Sequence, residues 1–110
     1  MSPTARSLKA CRDAGFACHV VERWNPHAKV RQDLFGFIDI LAITDQGILG
    51  IQATSAAHHS ERIGKIAASP HAAAWLRAGG RIEVWSWAKR KIKRGGKAVR
   101  WELRRTAIEV

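Results

Sequence analysis

Two short apolar runs joined by a tight turn carry the residues of this sequence best placed for chemistry. The runs span 35–43 and 47–55, and the turn between them spans 44–47. A loop of this length that ends in glycine favours a hairpin, which places Asp39 opposite Gln52 with about 4.5–5.5 Å between their Cβ atoms. Side chains alternate across a sheet, so Thr54 is predicted to project from the same face as Gln52. Oxygens this close can share one metal ion.

Asp39 is the only charged residue in the first of these runs. A carboxylate in an apolar strand is costly unless something pairs with it, so the position indicates a site that binds a cation. The alternative is a buried aspartate whose oxygens are satisfied by local hydrogen bonds. Asp33, just upstream, is predicted to add a second carboxylate at the mouth of the site, the alternatives being a solvated loop residue or a turn cap.

The elements that must position these residues are predicted from hydrophobic periodicity and from capping and turn residues. Helices are expected at 3–14, 60–68 and 71–78, strands at 16–24, 35–43, 47–55, 81–87 and 98–104, a loop at 29–33 and a basic turn at 89–97. This order favours an α/β or α+β fold. We expect one domain spanning residues 1–110, with a central mixed sheet flanked by helices and an extra basic hairpin at the C-terminus.

Composition narrows the class of protein. The chain has 110 residues, of which 46% are hydrophobic, enough for one core. Its 19 lysines and arginines exceed its 9 acidic residues and give a formal net charge of +10. This excess predicts a polyanionic partner, nucleic acid ahead of a membrane surface, and the alternative is a merely basic, soluble surface.

The cysteines and the hydropathy of the chain point to a cellular compartment. Cys11 and Cys18 lack the spacing of a zinc motif and are too few for a disulfide framework, so reduced thiols are expected. The sequence shows no segment with the pattern of a signal peptide and no apolar run of membrane-spanning length. A cytoplasmic protein with no membrane association is therefore expected.

Basic residues concentrate near the C-terminus and on the predicted helix after the central hairpin. Those of the C-terminal hairpin that are predicted to bind phosphates are Lys89, Arg90, Lys91, Lys93, Arg94, Lys97 and Arg100. On the helix, His58, Arg62 and Lys65 are spaced to share one face, which could present a cation to a phosphate. The alternative for these three is an ordinary solvated basic stripe.

Two of the five tryptophans, Trp85 and Trp87, lie two positions apart on a predicted strand and so share one side of it. At least one of them is expected to lie outside the main core. It could stack on a base, form a dimer contact or be covered by the C-terminal hairpin.

The string 29–43, followed by 50–55, resembles the core of the PD-(D/E)XK nucleases. It is most similar to their small stand-alone members, related to Holliday junction resolvases and to virus-type replication and repair nucleases. In that superfamily an aspartate on one strand is followed, a hairpin later, by Glu-x-Lys. Asp39 matches the aspartate, and 52–54 occupies the Glu-x-Lys place. The resemblance covers 4–84, so the basic hairpin lies outside it.

The resemblance implies a restriction-endonuclease-like domain that cuts DNA, including branched or flapped DNA, with Mg²⁺ or Mn²⁺, and that works as a homodimer. The implied metal ligands are Asp39, Gln52, the carbonyl of Ala53 and Asp33. The implied catalytic set is Asp39, Gln52, Thr54, Asp33, Lys65 and Arg62. Gln52 replaces the glutamate and Thr54 the lysine, which leaves a second hypothesis open: a module on the same fold that binds nucleic acid without cutting it.

Overall fold

The computed structural model describes residues 1–109 and shows how local sequence signals set the helices and strands. Ser2 caps the first helix by accepting a hydrogen bond from the N–H of Ala5, and Gly15, with φ of 87°, follows its end. The helices are α1 (Pro3–Asp13), α2 (His59–Ala67) and α3 (Pro70–Arg77), with a 3-10 turn at Ala56–His58. The strands are β1 (Ala17–Val20), β2 (Arg23–Asn25), β3 (Val30–Gln32), β4 (Ile40–Thr44), β5 (Gly47–Ser55), β6 (Arg81–Lys91) and β7 (Val99–Ala107).

Five strands form the central sheet in the order β1-β4-β5-β6-β7. β5 and β6 are parallel, because α2 and α3 cross over between them, and every other neighbouring pair is antiparallel. In the central hairpin Leu41 pairs with Gly50 and Ile43 with Ile48, the predicted register. The expected α+β fold with a mixed sheet flanked by helices is therefore confirmed, as is the hairpin of β6 and β7.

The sheet has an apolar cluster on each face, which explains why its inner strands are apolar on both sides. Ile40, Ile51 and Trp85 pack with Cys11 of α1 on one face. The other face packs against α2 and α3 and includes the following buried residues: Phe37, Ile38, Ile66, Ala72, Ile82, Val84 and Ile108. Gln52 and Thr54 belong to this second face, since they alternate with Ile51 along β5.

The predicted strand at 35–43 is too long at its start, because β4 begins only at Ile40. Phe35 and Gly36 adopt left-handed conformations, with φ of 55° and 84°, which an extended strand cannot accommodate. The resulting turn brings Ile38 over the sheet. A Cβ at Gly50 would lie 2.9 Å from Cδ1 of Ile38, so this position requires glycine.

The predicted strand at 16–24 and loop at 29–33 are also wrong in part. β1 ends at Val20, and the chain then forms β2, which pairs with β3 in a separate two-stranded sheet. Strand β3 occupies most of the predicted loop. Its three residues are all exposed and only Val30 is apolar, so a hairpin held by backbone hydrogen bonds leaves no apolar periodicity to detect.

The C-terminal hairpin is longer than predicted. β6 continues to Lys91, whereas the sequence predicts its end at position 87 and a turn over 89–97. Basic side chains do not end a strand when they project into solvent, because the backbone ladder to β7 is unaffected by them. Within the described residues, the helices are all too short or too polar to span a membrane.

Candidate metal centre

Asp39 directly precedes β4 and is almost fully buried, with 3% of its surface exposed. Its N–H donates to the carbonyl of Ile51 at 2.9 Å, which extends the ladder of the central hairpin by one residue. Its Oδ2 accepts hydrogen bonds from Nε2 of Gln52 at 2.7 Å and from the N–H of Ala53 at 2.8 Å. The hairpin thus brings together Asp39, Gln52 and Ala53 as predicted.

Three carboxylates converge at this point. Glu22, Asp33 and Asp39 each place one oxygen within 4.8 Å of the other two. The turn after β3 holds Asp33, whose carbonyl accepts the N–H of Gly36 at 3.0 Å. The cluster has enough oxygens, close enough together, to hold one divalent cation.

Glu22 is absent from the set predicted from the sequence. The N–H groups of Val21 and Glu22 both point to the carbonyl of Asp39, at 2.8 and 3.4 Å, as the chain leaves β1. These contacts place Glu22 beside Asp39 although the two are far apart in sequence. The only signal in the sequence is an acidic residue directly after Val20-Val21, where the strand ends.

Burial and the neighbouring Asp33 together determine the pKa of Asp39. Burial is the main cause that raises its pKa to about 9, and hydrogen bonding to Asp33 and repulsion from Asp33 act in the same direction. The N–H of Ala53 acts in the opposite direction. Without a cation, Asp39 therefore keeps its proton at neutral pH. A divalent cation would favour the ionised form and lower this pKa.

Gln52 is as buried as Asp39, with 3% of its surface exposed. Its Nε2 faces the cluster, donating to Asp39 and, at 3.3 Å, to Asp33. Its Oε1 is buried and has no hydrogen-bond partner among the described residues. A half-turn of the amide would exchange the two atoms and present the oxygen to the cluster, as a metal ligand requires.

Thr54 lies two positions beyond Gln52 on the same face of β5 and is buried opposite Ser86 of β6. A hydroxyl carries no charge, so the positive charge of a lysine is missing from this position. Lys65 is exposed and lines, together with Asp33, a groove of about 470 Å³. Its ammonium group can therefore supply a positive charge on the open side of the cluster.

The helical face predicted for His58, Arg62 and Lys65 lies on α2 only for Arg62 and Lys65, because His58 belongs to the 3-10 turn before the helix. Helix α2 begins after His58, whose exposed ring pairs with Glu61 at 3.2 Å. Arg62 is half-buried, and its Nε has no hydrogen-bond partner among the described residues. Arg62 and Lys65 lie three positions apart on α2 and so on the same side of the helix, with Lys65 the more exposed of the two.

His59 is fixed by two hydroxyl groups. Its Nδ1 lies 2.6 Å from Oγ of Ser86, and its Nε2 lies 2.8 Å from Oγ1 of Thr106. Burial, with repulsion from Arg104, lowers its pKa. The ring is therefore a neutral link that ties α2 to β6 and β7.

The basic residues of the C-terminal hairpin divide between two faces. Arg90 and Arg100 pair across the hairpin and lie on the same face as Thr54, while Lys89 and Lys91 lie on the α1 face. The remaining predicted residues, Lys93, Arg94 and Lys97, lie in the exposed connecting loop. Arg90 and Arg100 lie beyond the end of β5, because β6 continues past the partner of its last residue. They therefore lie on the same face of the sheet as the site, but about 20 Å along β6 from Val84, the partner of Gln52.

Trp85 and Trp87, the two candidates for stacking on a base, face α1. Trp85 is buried in the α1-side cluster and donates from Nε1 to Glu83 at 3.0 Å. Trp87 is half-buried and donates to Oγ of Ser7 at 2.9 Å. Burial leaves Trp85 no face for a base, whereas Trp87 lies outside the main core, as expected for one of the two, and is partly covered by α1.

Comparisons of the chain with protein families, with curated proteins and with solved structures return no match.

Proposed function

We propose that the protein is a metal-dependent endonuclease of the PD-(D/E)XK type that acts on DNA. The convergence of Glu22, Asp33 and Asp39 within 4.8 Å carries this proposal. Carboxylates this close repel one another, so a partly buried cluster of three is costly unless a cation or shared protons compensate. Mg²⁺ prefers oxygen ligands and retains several waters, which suits an open cluster of this kind.

The donor atoms of the site fit a hard divalent cation. They are three carboxylates and the amide of Gln52, whose buried oxygen lacks a protein partner among the described residues. Glu22 thus joins Asp33, Asp39 and Gln52 in the proposed ligand set. The carboxylates offer oxygens, Gln52 would offer one after a half-turn of its amide, and the carbonyl of Ala53 remains a predicted ligand. Such a set would select Mg²⁺ or Mn²⁺ over metals that prefer sulfur or imidazole.

A Mg²⁺ ion bound here would polarise a phosphate and make an attacking water more acidic. The residues of the chain have separate tasks. Asp39 must release its proton when the cation binds, because burial and Asp33 keep it protonated otherwise. Lys65, on the open side of the cluster, would balance the charge of the phosphate in place of the missing lysine. Arg90 and Arg100 would hold flanking phosphates without reading sequence.

A second candidate function is a module that binds DNA without cutting it. It is favoured by Thr54, which offers no positive charge, and by the Gln52 amide, which turns its nitrogen to the carboxylates. Such a protein would retain the basic hairpin and lose turnover.

The test is a cleavage assay on supercoiled, linear, single-stranded and four-way-junction DNA with Mg²⁺, Mn²⁺ or EDTA. We expect cutting that needs the metal and is lost in Asp39→Asn. The control variant is Asp45→Asn, which removes an exposed carboxylate from the turn of the same hairpin and should cut normally. Undiminished cutting by purified Asp39→Asn would refute the site. Tight DNA binding without metal binding or cutting would favour the second function.

A further inference from the structure

Phe35 is an exposed aromatic residue in a conformation that such residues avoid. Its φ is 55°, and 52% of its surface is exposed. A bulky side chain in the left-handed region is strained, and a ring that is half exposed recovers only part of that energy through burial. Strain of this kind is concentrated at functional sites, where the surrounding structure maintains it.

The surrounding structure holds the Phe35 turn from both ends. The N–H of Leu34 donates to the carbonyl of Ile38 at 2.9 Å, and the N–H of Ile38 returns to the carbonyl of Leu34 at 3.0 Å. The side chains of Phe37 and Ile38 are buried in the core. The turn is therefore anchored, and Phe35 is held in place at its tip.

The Phe35 ring contacts two other aromatic rings. Its centroid lies 5.9 Å from that of His71 and 6.5 Å from that of Trp75, both on α3. Trp75 is fixed by a hydrogen bond from Nε1 to the carbonyl of Arg81 at 2.8 Å. His71 and Trp75 pack against one side of the Phe35 ring and leave its other side accessible to solvent.

The ring adjoins the metal centre. Phe35 lines the groove that also contains Asp33, Arg31 and Lys65. The Phe35 ring thus lines the groove together with the positively charged side chains of Arg31 and Lys65 and the carboxylate of Asp33. The groove thus offers cations that can bind phosphates, an aromatic ring on which a base can stack, and a carboxylate that can help to hold a metal-bound phosphate.

We propose that Phe35 stacks on an unpaired base next to the phosphate held at the carboxylate cluster. The inference rests on the proposed function and specifies its substrate class: DNA with an unpaired nucleotide at the site, such as a single strand or a flap. In a continuous duplex the faces of the bases are covered by their neighbours, so an aromatic ring has nothing to stack on. Arg31 and Lys65 hold the adjoining phosphates of the unpaired strand.

The test uses a single-stranded oligodeoxynucleotide that contains 2-aminopurine, with EDTA present, so that its outcome is independent of metal binding and cutting. Wild-type protein should quench the 2-aminopurine fluorescence on binding. Phe35→Ala should remove the quenching and weaken the affinity by about 5- to 150-fold, the range for one base stack. Affinity for blunt duplex should change less than twofold, and Phe35→Trp should restore both signals.

Two further variants make the result decisive. Phe35→Gly removes the ring and suits the left-handed backbone, so it separates loss of stacking from loss of folding. Trp101→Ala removes a ring that is 42% exposed on the α1 face, and it should bind as wild type. Wild-type quenching by Phe35→Gly, or equal losses on single strand and duplex, would overturn the proposal. A dimer in sedimentation that Phe35→Gly converts to a monomer would also overturn it, assigning the ring to a dimer interface.

Discussion

The buried position of Asp39 predicts that metal-free protein loses stability as pH rises. The pKa of its carboxyl is raised from 3.8 to about 9 in the folded protein, chiefly by burial. The folded state then binds more protons than the unfolded state across this interval. Stability from this group is fully present below pH 3.8 and is lost progressively as pH rises through about 9.

One proton bound by the folded state alone changes the free energy of unfolding by about 1.4 kcal/mol per pH unit. Between pH 5 and pH 8 Asp39 should therefore reduce that free energy by at most about 4 kcal/mol. The figure is an upper limit because Asp33 shares in the titration. Asp39→Asn keeps the shape and removes the ionisation, so its stability should vary less with pH and should exceed that of wild type at pH 8.

The measurement is urea unfolding in EDTA at several pH values, for wild type, Asp39→Asn and the control Asp45→Asn. The control should follow wild type, because its carboxylate is exposed. Excess Mg²⁺ should flatten the wild-type curve, since the cation favours the ionised form. Parallel curves for wild type and Asp39→Asn in EDTA would refute the argument that burial keeps this carboxyl protonated.

Three further predictions concern the ligand set, the DNA-binding face and the link between α2 and the sheet. Gln52→Glu should tighten Mn²⁺ binding in calorimetry by at least about tenfold, because it adds a charge to the cluster; unchanged affinity would remove Gln52 from the ligand set. Replacing Arg90 and Arg100 with Ala should reduce the slope of log affinity against log salt on duplex DNA by about 2, whereas replacing the two lysines of β6 that face α1 should not; equal effects would reject a binding face on the site side. His59→Ala leaves two hydroxyls without a partner and a cavity, so it should lower the free energy of unfolding in urea by about 2–4 kcal/mol. The exposed neighbour His58→Ala should change it by less than about 0.5 kcal/mol, and similar effects for both would contradict the link.

The central hairpin could be predicted because its signals are local. A period of two positions and a loop that ends in Gly47 fix the register, and the register alone brings Asp39 to Gln52. The order of elements then gives the α+β class, since a helical segment between β5 and β6 requires a crossover and a parallel pair. Composition gives the net charge, and with it the expectation of a polyanionic partner.

The third carboxylate could be found only in the folded chain. Glu22 enters the cluster because β1 pairs with β4 and its following residues turn to the carbonyl of Asp39. That pairing joins segments separated by the whole of the β2–β3 hairpin. The spacing of Glu22 along the chain therefore does not indicate that it meets Asp39.

The sequence by itself determined the hairpin, its Asp39–Gln52 pair, the fold class and the basic C-terminal strands, because each depends on neighbours along the chain. Only the tertiary structure decided which side chains from distant segments share a groove and which helix covers each face of the sheet. It placed Trp85 and Trp87 under α1, held Phe35 in solvent beside Asp33, and divided the hairpin's charges between the two faces of the sheet. The physical reason is that burial and charge act through space, so their effects depend on packing between distant segments.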